Sequence, residues 1–311
     1  MADRLDSKPP ILVTGAHRTG TTWVGKILAA SGEAGYISEP FNVRHRPGVF
    51  RAPLKHWYTY ICADNESEYL PAMKETLAFQ YHLPQEIASL RSIKDIGRLG
   101  RDWSIFLSGR MHKHRPLLKD PFAAFSVPWF ANRLGCQIVV TVRHPTAFIS
   151  SLKRLGWAFD FSNLLEQPYL MRDWLGPFEA EMQAMVKSPE DLIGQGSLLW
   201  RAIYHVINAC RGQIPRLQVV RHEDLSLSPI EGFRALYVAC GLNFTPNVEK
   251  TVLNSSSSEN PKELSRKNTY GHRLDSRSSL ANWKRRLSES EIERIRQLTC
   301  DVAKYYYPDQ E

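Results

Sequence analysis

No stretch of the 311 residues approaches the roughly 18 consecutive apolar residues that a membrane-spanning helix requires. The N-terminal MADRLDSKPP lacks the apolar core of a secretory signal, so a cytoplasmic location is expected. Cysteine is scarce and scattered: Cys62, Cys136, Cys210, Cys240 and Cys300 form no CxxC and no Cys/His group with zinc-ligand spacing. An odd count at wide spacing points to reduced thiols rather than a disulfide framework, and no metal site is expected. Internal repeats and low-complexity arrays are missing. The basic clusters, His112-Lys113-His114-Arg115 and Lys284-Arg285-Arg286, are short and stand beside no RNA-binding signature, zinc finger or recognition-helix pattern. Nucleic acid is therefore not an expected partner.

What remains is a globular composition, 43% hydrophobic and 23% charged, in a chain long enough for one large α/β domain. Forty Lys and Arg against 32 Asp and Glu leave a net charge of +8, which suits an anionic surface or a multiply phosphorylated small ligand. Short apolar runs at 11–14, 34–37, 117–121, 137–142 and 217–221 read as strands. Helices are expected at 22–30, 66–78, 84–91, from Pro145, and at 196–211, 229–240 and 288–305. Gln137-Ile138-Val139-Val140-Thr141-Val142 is almost wholly apolar and β-branched, as a strand buried on both faces must be. The alternation predicts a three-layer α/β/α fold around a central parallel sheet, with residues 1–311 as a single domain. Segments 42–115 and 156–195 are irregular and aromatic, and 254–282 reads as a long Ser-, Asn- and Arg-rich loop.

Between the first strand and the first helix stands Gly15-Ala16-His17-Arg18-Thr19-Gly20-Thr21-Thr22. Its spacing is that of a P-loop, G-x-x-x-x-G-K-[ST], with Thr21 in the lysine's place. Glycines permit a tight turn with inward backbone N–H groups, and the following helix adds its positive dipole end. Such a cradle holds phosphate or another tetrahedral oxyanion. Without the lysine, nucleoside triphosphate chemistry loses its main cation; Arg18 offers one elsewhere.

Arg18-Thr19-Gly20-Thr21-Thr22-Trp23 resembles the 5′-phosphosulfate loop of the sulfotransferases that use 3′-phosphoadenosine 5′-phosphosulfate (PAPS). The resemblance implies that the turn from His17 to Thr22 holds the 5′-phosphate, with Arg18 on the bridging oxygen. Arg143-His144-Pro145 through Ser151 is similar to the family's 3′-phosphate element, in which arginine offers a bidentate fork and serine a hydroxyl. The segment Val220 to Leu225 resembles a structural strand end of the family, and Asn282-Trp283-Lys284 its cofactor-closing segment. The family's preceding Arg-Lys-Gly is not reproduced, so Arg273, Arg277 and Lys284 remain alternatives for completing the 3′-phosphate site.

Sulfuryl transfer needs an in-line acceptor, a base for its proton and cations where negative charge grows. Glu39-Pro40 resembles carbohydrate sulfotransferases, which implies Glu39 as base and a carbohydrate or glycoconjugate hydroxyl as acceptor. Lys119-Asp120-Pro121-Phe122 is similar to tyrosylprotein sulfotransferases and implies that Lys119 stabilises the transition state. Asp120 is the alternative base, and His45, His112 and His114 are the histidines of the same region. The aromatics Trp57, Tyr58, Tyr60, Trp157, Phe159 and Phe161 are candidates for an acceptor wall. Two other classes stay open at this point: a P-loop small-molecule kinase, and a non-catalytic binder of phosphorylated nucleotides.

Overall fold

The computed structural model describes residues 8–44, 47–265 and 271–308. Five strands, β1 (Ile11–Gly15), β2 (Ala34–Ser38), β3 (Arg115–Lys119), β4 (Gln137–Val142) and β5 (Leu217–Arg221), form one all-parallel sheet in the order β2-β3-β1-β4-β5. Both faces are covered, because alternate residues along each strand feed two separate cores. Ile11, Val13, Leu117 and Val139 pack on one side, and Leu12, Leu118, Ile138, Val140 and Val142 on the other.

The principal helices are α1 (Thr21–Leu28), α2 (Glu66–Leu77), α3 (Leu83–Ala88), α4 (Ile93–Met111), α5 (Val127–Asn132), α6 (Pro145–Leu155), α7 (Leu192–Arg211), α8 (Pro229–Cys240), α9 (Pro246–Ser256) and α10 (Glu289–Ala303). Helices α1, α8 and α9 share the first core, and α5, α6, α7 and α10 the second. The expected three-layer α/β/α architecture is the one observed. The five cysteines are all free thiols.

Two long helices depart from the sequence reading. Helix α4 fills much of the segment read as irregular, and α9 runs to Ser256, so the expected loop begins later than 254. The stretch 156–195 is irregular, as read, with short helical turns that include one π-helical turn at Met171–Leu175.

After β1 the chain moves through β2 and β3 on one side and then returns to β4 and β5 on the other. Connections therefore leave the carboxyl end of β1 in opposite directions and open a crevice there, the usual ligand position in open parallel sheets.

Candidate active site

The turn after β1 is fixed from beneath. Gly15 has φ +130, and a Cβ there would lie 2.2 Å from the Thr141 carbonyl oxygen, so β1 and β4 can approach this closely only at glycine. The Tyr204 hydroxyl donates to that carbonyl (2.7 Å) and accepts from the Ala16 N–H (3.2 Å), tying the turn to α7. Thr19 is fully buried; its hydroxyl donates to the Ala16 carbonyl (2.6 Å) and lies 2.8 Å from Thr141 Oγ1. Gly20, at φ +99, caps α1, and a Cβ there would meet His222 Nδ1 at 2.7 Å. The first turn of α1 carries no acidic residue.

Thr19 therefore shapes the turn from inside, whereas Arg18, Gly20, Thr21, Thr22 and Trp23 line a pocket together with Arg143. His17 does not join them. Its Nδ1 lies 2.7 Å from the Tyr58 hydroxyl, within a cluster of Tyr58, Phe122, Phe148 and Trp157, and burial followed by the Arg18 charge pushes its pKa down to about 4.

At the junction of β4 and α6, Arg143 donates to the Arg18 carbonyl (3.3 Å), and its backbone carbonyl accepts from Trp200 Nε1 (2.9 Å). Arg18 Nε donates to Ser151 Oγ (3.3 Å), and its guanidinium lies over Trp157. The two motifs, about 120 residues apart, thus meet. His222 faces the same pocket and stays neutral, its pKa held well below the ordinary value by burial and then by Arg143.

The far wall is built from α9 and the segment beyond it: Ser255, Leu264, Gly271, His272, Leu274, Ser276 and Ser279. None of the three alternatives, Arg273, Arg277 and Lys284, stands there, and Arg273 is exposed. Arg277 donates to the Leu227 carbonyl (2.7 Å), and exposed Lys284 lies over Trp283. Another cation does come close: Arg286 reaches Ser150 Oγ (3.4 Å), beside Ser151; burial first, and the Arg286 charge to a lesser degree, disfavour ionised Arg143. It sits in the Lys284-Arg285-Arg286 cluster, so composition marked the region but not the residue.

Glu39 and Lys119 lie 80 positions apart in sequence and meet because β2 pairs with β3 in the register Ser38↔Lys119. Their side chains form an ion pair, with Lys119 1% and Glu39 13% exposed. Glu39 Oε2 accepts from Asn42 Nδ2 (2.8 Å), and the Glu39 N–H donates to the Lys119 carbonyl (2.8 Å) in a left-handed conformation, φ +51. Burial opposes the Lys119 charge, but Tyr36 and Glu39 outweigh it and hold its pKa above the ordinary value.

Asp120 is differently placed. Its carboxyl accepts from the Phe41 N–H (2.5 Å) and the Phe122 N–H (2.9 Å), clamping the chain after β2 to the end of β3. Burial pushes its pKa up to about 8.

The Glu39–Lys119 pair opens on a second cavity lined by Thr22, Lys26, Tyr36, Asn42, Arg44, Val49, Arg98, Arg101, Asp102, Ile105 and Phe106, among others. Thr22 belongs to both pockets. Lys26 Nζ, in the second, lies 3.2 Å from His272 Nδ1 in the first. Segment 42–115 thus supplies a wall of this cavity through α4, whereas 156–195 approaches only the Arg18 end, through Trp157. None of the six candidate aromatics lines it; Tyr58 and Phe161 are wholly buried. His112 and His114 stack on each other past α4, outside both pockets, and His45 lies outside the described residues. Sequence reasoning missed Lys26, Tyr36, Arg98 and Arg101.

A search of curated proteins returns no match. Among solved structures, the sulfotransferase domain of the Synechococcus PCC 7002 olefin synthase aligns over 99% of this chain and 98% of its own, at 16% identity and a TM-score of 0.50. The sulfotransferase domain from the curacin biosynthetic pathway aligns over 94% and 97%, at 16% identity and 0.47. Mouse sulfotransferase SULT7A1, solved with PAP, aligns over 98% and 85%, at 10% identity and 0.42. Identities this low concern the fold. The sequence profile of the sulfotransferase family, however, matches residues 9–246, a span holding the turn, Glu39, Lys119 and Arg143. On that match, the chain belongs to the PAPS-dependent sulfotransferase family.

Proposed function

We propose that the chain, acting as one sulfotransferase domain, moves the sulfuryl group of PAPS to a hydroxyl of a carbohydrate or glycoconjugate, with Glu39 as the base. The observation that carries this reading is the Glu39–Lys119 pair, which opens on a cavity sharing Thr22 with the arginine-bearing pocket. Family membership sets aside the kinase and the non-catalytic binder.

The first pocket suits a nucleotide with phosphates at two positions. Among its described lining residues there are two arginines and no carboxylate. Arg143 Nε is buried with no hydrogen-bond partner, and a buried donor of this kind favours an anion strongly. The Gly20 turn and the α1 N-terminus suit the 5′-phosphate, with Arg18 on its bridging oxygen, and Arg143 and Ser151, with Arg286 nearby, suit the 3′-phosphate.

When bound, PAPS supplies an activated sulfuryl group and leaves as adenosine 3′,5′-bisphosphate. The protein's own work is proton removal and charge stabilisation. A carboxylate offers about four acceptor positions, and Lys119 and Asn42 occupy two on Glu39; the acceptor's hydroxyl proton takes another. Asp120 is the poorer base because both its oxygens hold backbone N–H groups. Lys119, paired with Glu39, and Thr22, which lines the same cavity, are the groups that would meet charge developing on the transferring group.

The second cavity carries Lys26, Arg44, Arg98, Arg101 and Lys119 against Glu39 and Asp102. Burial and then the charges of Lys119, Arg101 and Arg273 hold Lys26 below its ordinary pKa, so the cations repel one another and an anion would relieve them. This favours an acceptor with a carboxylate, sulfate or phosphate besides its hydroxyl. Radiolabelled PAPS offered to matched neutral glycosides and uronic-acid glycosides tests it. Preferential labelling of the acidic member, lost in Glu39→Gln, is expected; equal labelling of both would remove the basis for an anionic acceptor.

A further inference from the structure

Helix α4 buries Asp102, Phe106 and Gly109. On its other side Ile93, Ile96, Trp103, Leu107 and Met111 stand in solvent, between 45% and 87% exposed. Five of the twelve large apolar side chains that the described residues expose lie on this one helix. Their spacing keeps the three-to-four-residue period of a single face, within about 80° of one another and opposite the buried Asp102 and Gly109. Isolated exposed apolar residues are ordinary; a continuous stripe marks a surface that something covers.

Exposed cations surround the helix: Arg110 flanks the stripe, Arg91 and Lys113 stand beyond its two ends, and Lys94, Arg98 and Arg101 lie round towards the side away from it. Arg91, Lys94, Arg98, Arg101, Arg110 and Lys113 are all exposed, and the acidic residues of the segment, Asp95 and Asp102, are paired with Arg98 and Arg101. The charge decides between occupants. Two copies meeting along α4 about a two-fold axis would set these cations against their own equivalents. Anionic headgroups would neutralise them, and Trp103 would sit at the boundary between polar and apolar layers that indole favours.

We propose that α4 docks the enzyme on the surface of an anionic lipid bilayer, lying in the interface with its apolar stripe against the headgroups and upper acyl chains. Arg98 and Arg101, on the side of the same helix away from the stripe, line the Glu39 cavity, about one helix diameter from the docked face. Docking therefore holds that cavity at the membrane, and a lipid-borne glycan is the acceptor class within its reach. The acceptor class rests on the Glu39 reading; the docking does not.

Flotation of the full chain with vesicles tests the docking directly, using phosphatidylcholine alone and phosphatidylcholine mixed with phosphatidylserine. Binding to the mixed vesicles should exceed binding to the neutral ones by about tenfold or more and weaken as salt is raised. The pair Trp103→Ser/Leu107→Ser, and separately Arg110→Glu/Lys113→Glu, should each lower that binding by about tenfold. Affinity for adenosine 3′,5′-bisphosphate should stay unchanged in both, which shows that the fold is intact. Absence of binding to mixed vesicles, or equal binding to both compositions, overturns the proposal. So does a dimer in light scattering that Trp103→Ser/Leu107→Ser dissolves while vesicle binding is absent. Intact vesicle binding without transfer to any glycan would instead count against Glu39 and its acceptor.

Discussion

Replacing Glu39 with glutamine removes a charge and leaves the shape, so its two consequences can be worked separately. The first is chemical. A positioned general base contributes about 10²–10⁴ in rate, and turnover should fall on that scale. The second is structural: Lys119 is 1% exposed and loses its partner charge, and breaking a buried pair from one side costs about 3–5 kcal/mol. The strain at φ +51 is common to both proteins and cancels. For a chain of this size that loss is a fall of roughly 5–10 °C in Tm. Adenosine 3′,5′-bisphosphate affinity should hold, because Glu39 lines the other cavity. The double variant Glu39→Gln/Lys119→Met separates the effects: it should recover most of the Tm and none of the turnover. Steady-state transfer from radiolabelled PAPS, calorimetry and thermal melts measure all three. A Glu39→Gln enzyme within about threefold of wild-type kcat would refute the base; so would a loss of bisphosphate affinity matching the loss of kcat.

Arg143→Ala should show the converse pattern, with bisphosphate affinity falling about 10–100-fold through a lost charge-assisted contact and kcat at saturation changing less. If titration calorimetry shows affinity unchanged, Arg143 does not face a phosphate. Gly20→Ala introduces a side chain at φ +99 against His222; a stability loss of about 1–3 kcal/mol in denaturant melts is expected, together with loss of bisphosphate binding. Stability should fall as pH drops from about 6.5 towards 4. Burial holds His17 and His144 at about 4 and His222 well below its ordinary value, whereas the unfolded chain protonates all three near pH 6.5. Asp120, pushed up to about 8, works the other way, since the folded state keeps a proton that the unfolded carboxylate releases above about 3.9. His82 and His272, also held below their ordinary pKa chiefly by burial, act with these three; one carboxyl against five histidines leaves the sign to the histidines, and a Tm that is flat or rising as pH falls through the window would contradict it. Adenosine 3′,5′-bisphosphate should slow amide exchange in 257–265 and 271–282, whose residues wall its pocket; unchanged exchange there would deny them a closing role.

The strands were legible because a strand buried on both faces must be short, apolar and β-branched, and β1 and β4 are plainly so. Helix α9 carried a readable start, Thr245 capping Val248 ahead of Pro246, but its Asn- and Ser-rich end resembled the loop beyond it. Helix α4 was hidden by its composition. Gly97, Gly100 and Gly109 interrupt it, and Ile93, Ile96, Trp103, Leu107 and Met111 form a stripe that faces solvent, so its period does not mark a core-facing side. The phosphate turn was legible from local spacing, since the glycines and hydroxyls act within one loop. Glu39 and Lys119 were named only through resemblance, because the register that joins them is a property of the sheet. Arg277 and Lys284 were named through the resemblance around Trp283, which does not say which way a side chain in an irregular segment points. Arg286 shows the same limit from the other side.

In the proposed function, Arg143 and the Gly20 turn build a pocket for a nucleotide bearing both a 3′- and a 5′-phosphate. Calorimetric titration with adenosine 3′,5′-bisphosphate, with ADP in parallel and magnesium omitted, tests this most directly. Micromolar binding of the bisphosphate, at least about tenfold tighter than ADP and levelled by Arg143→Ala, is the expected result. ADP binding as tightly as the bisphosphate, and tighter still once magnesium is added, would contradict it.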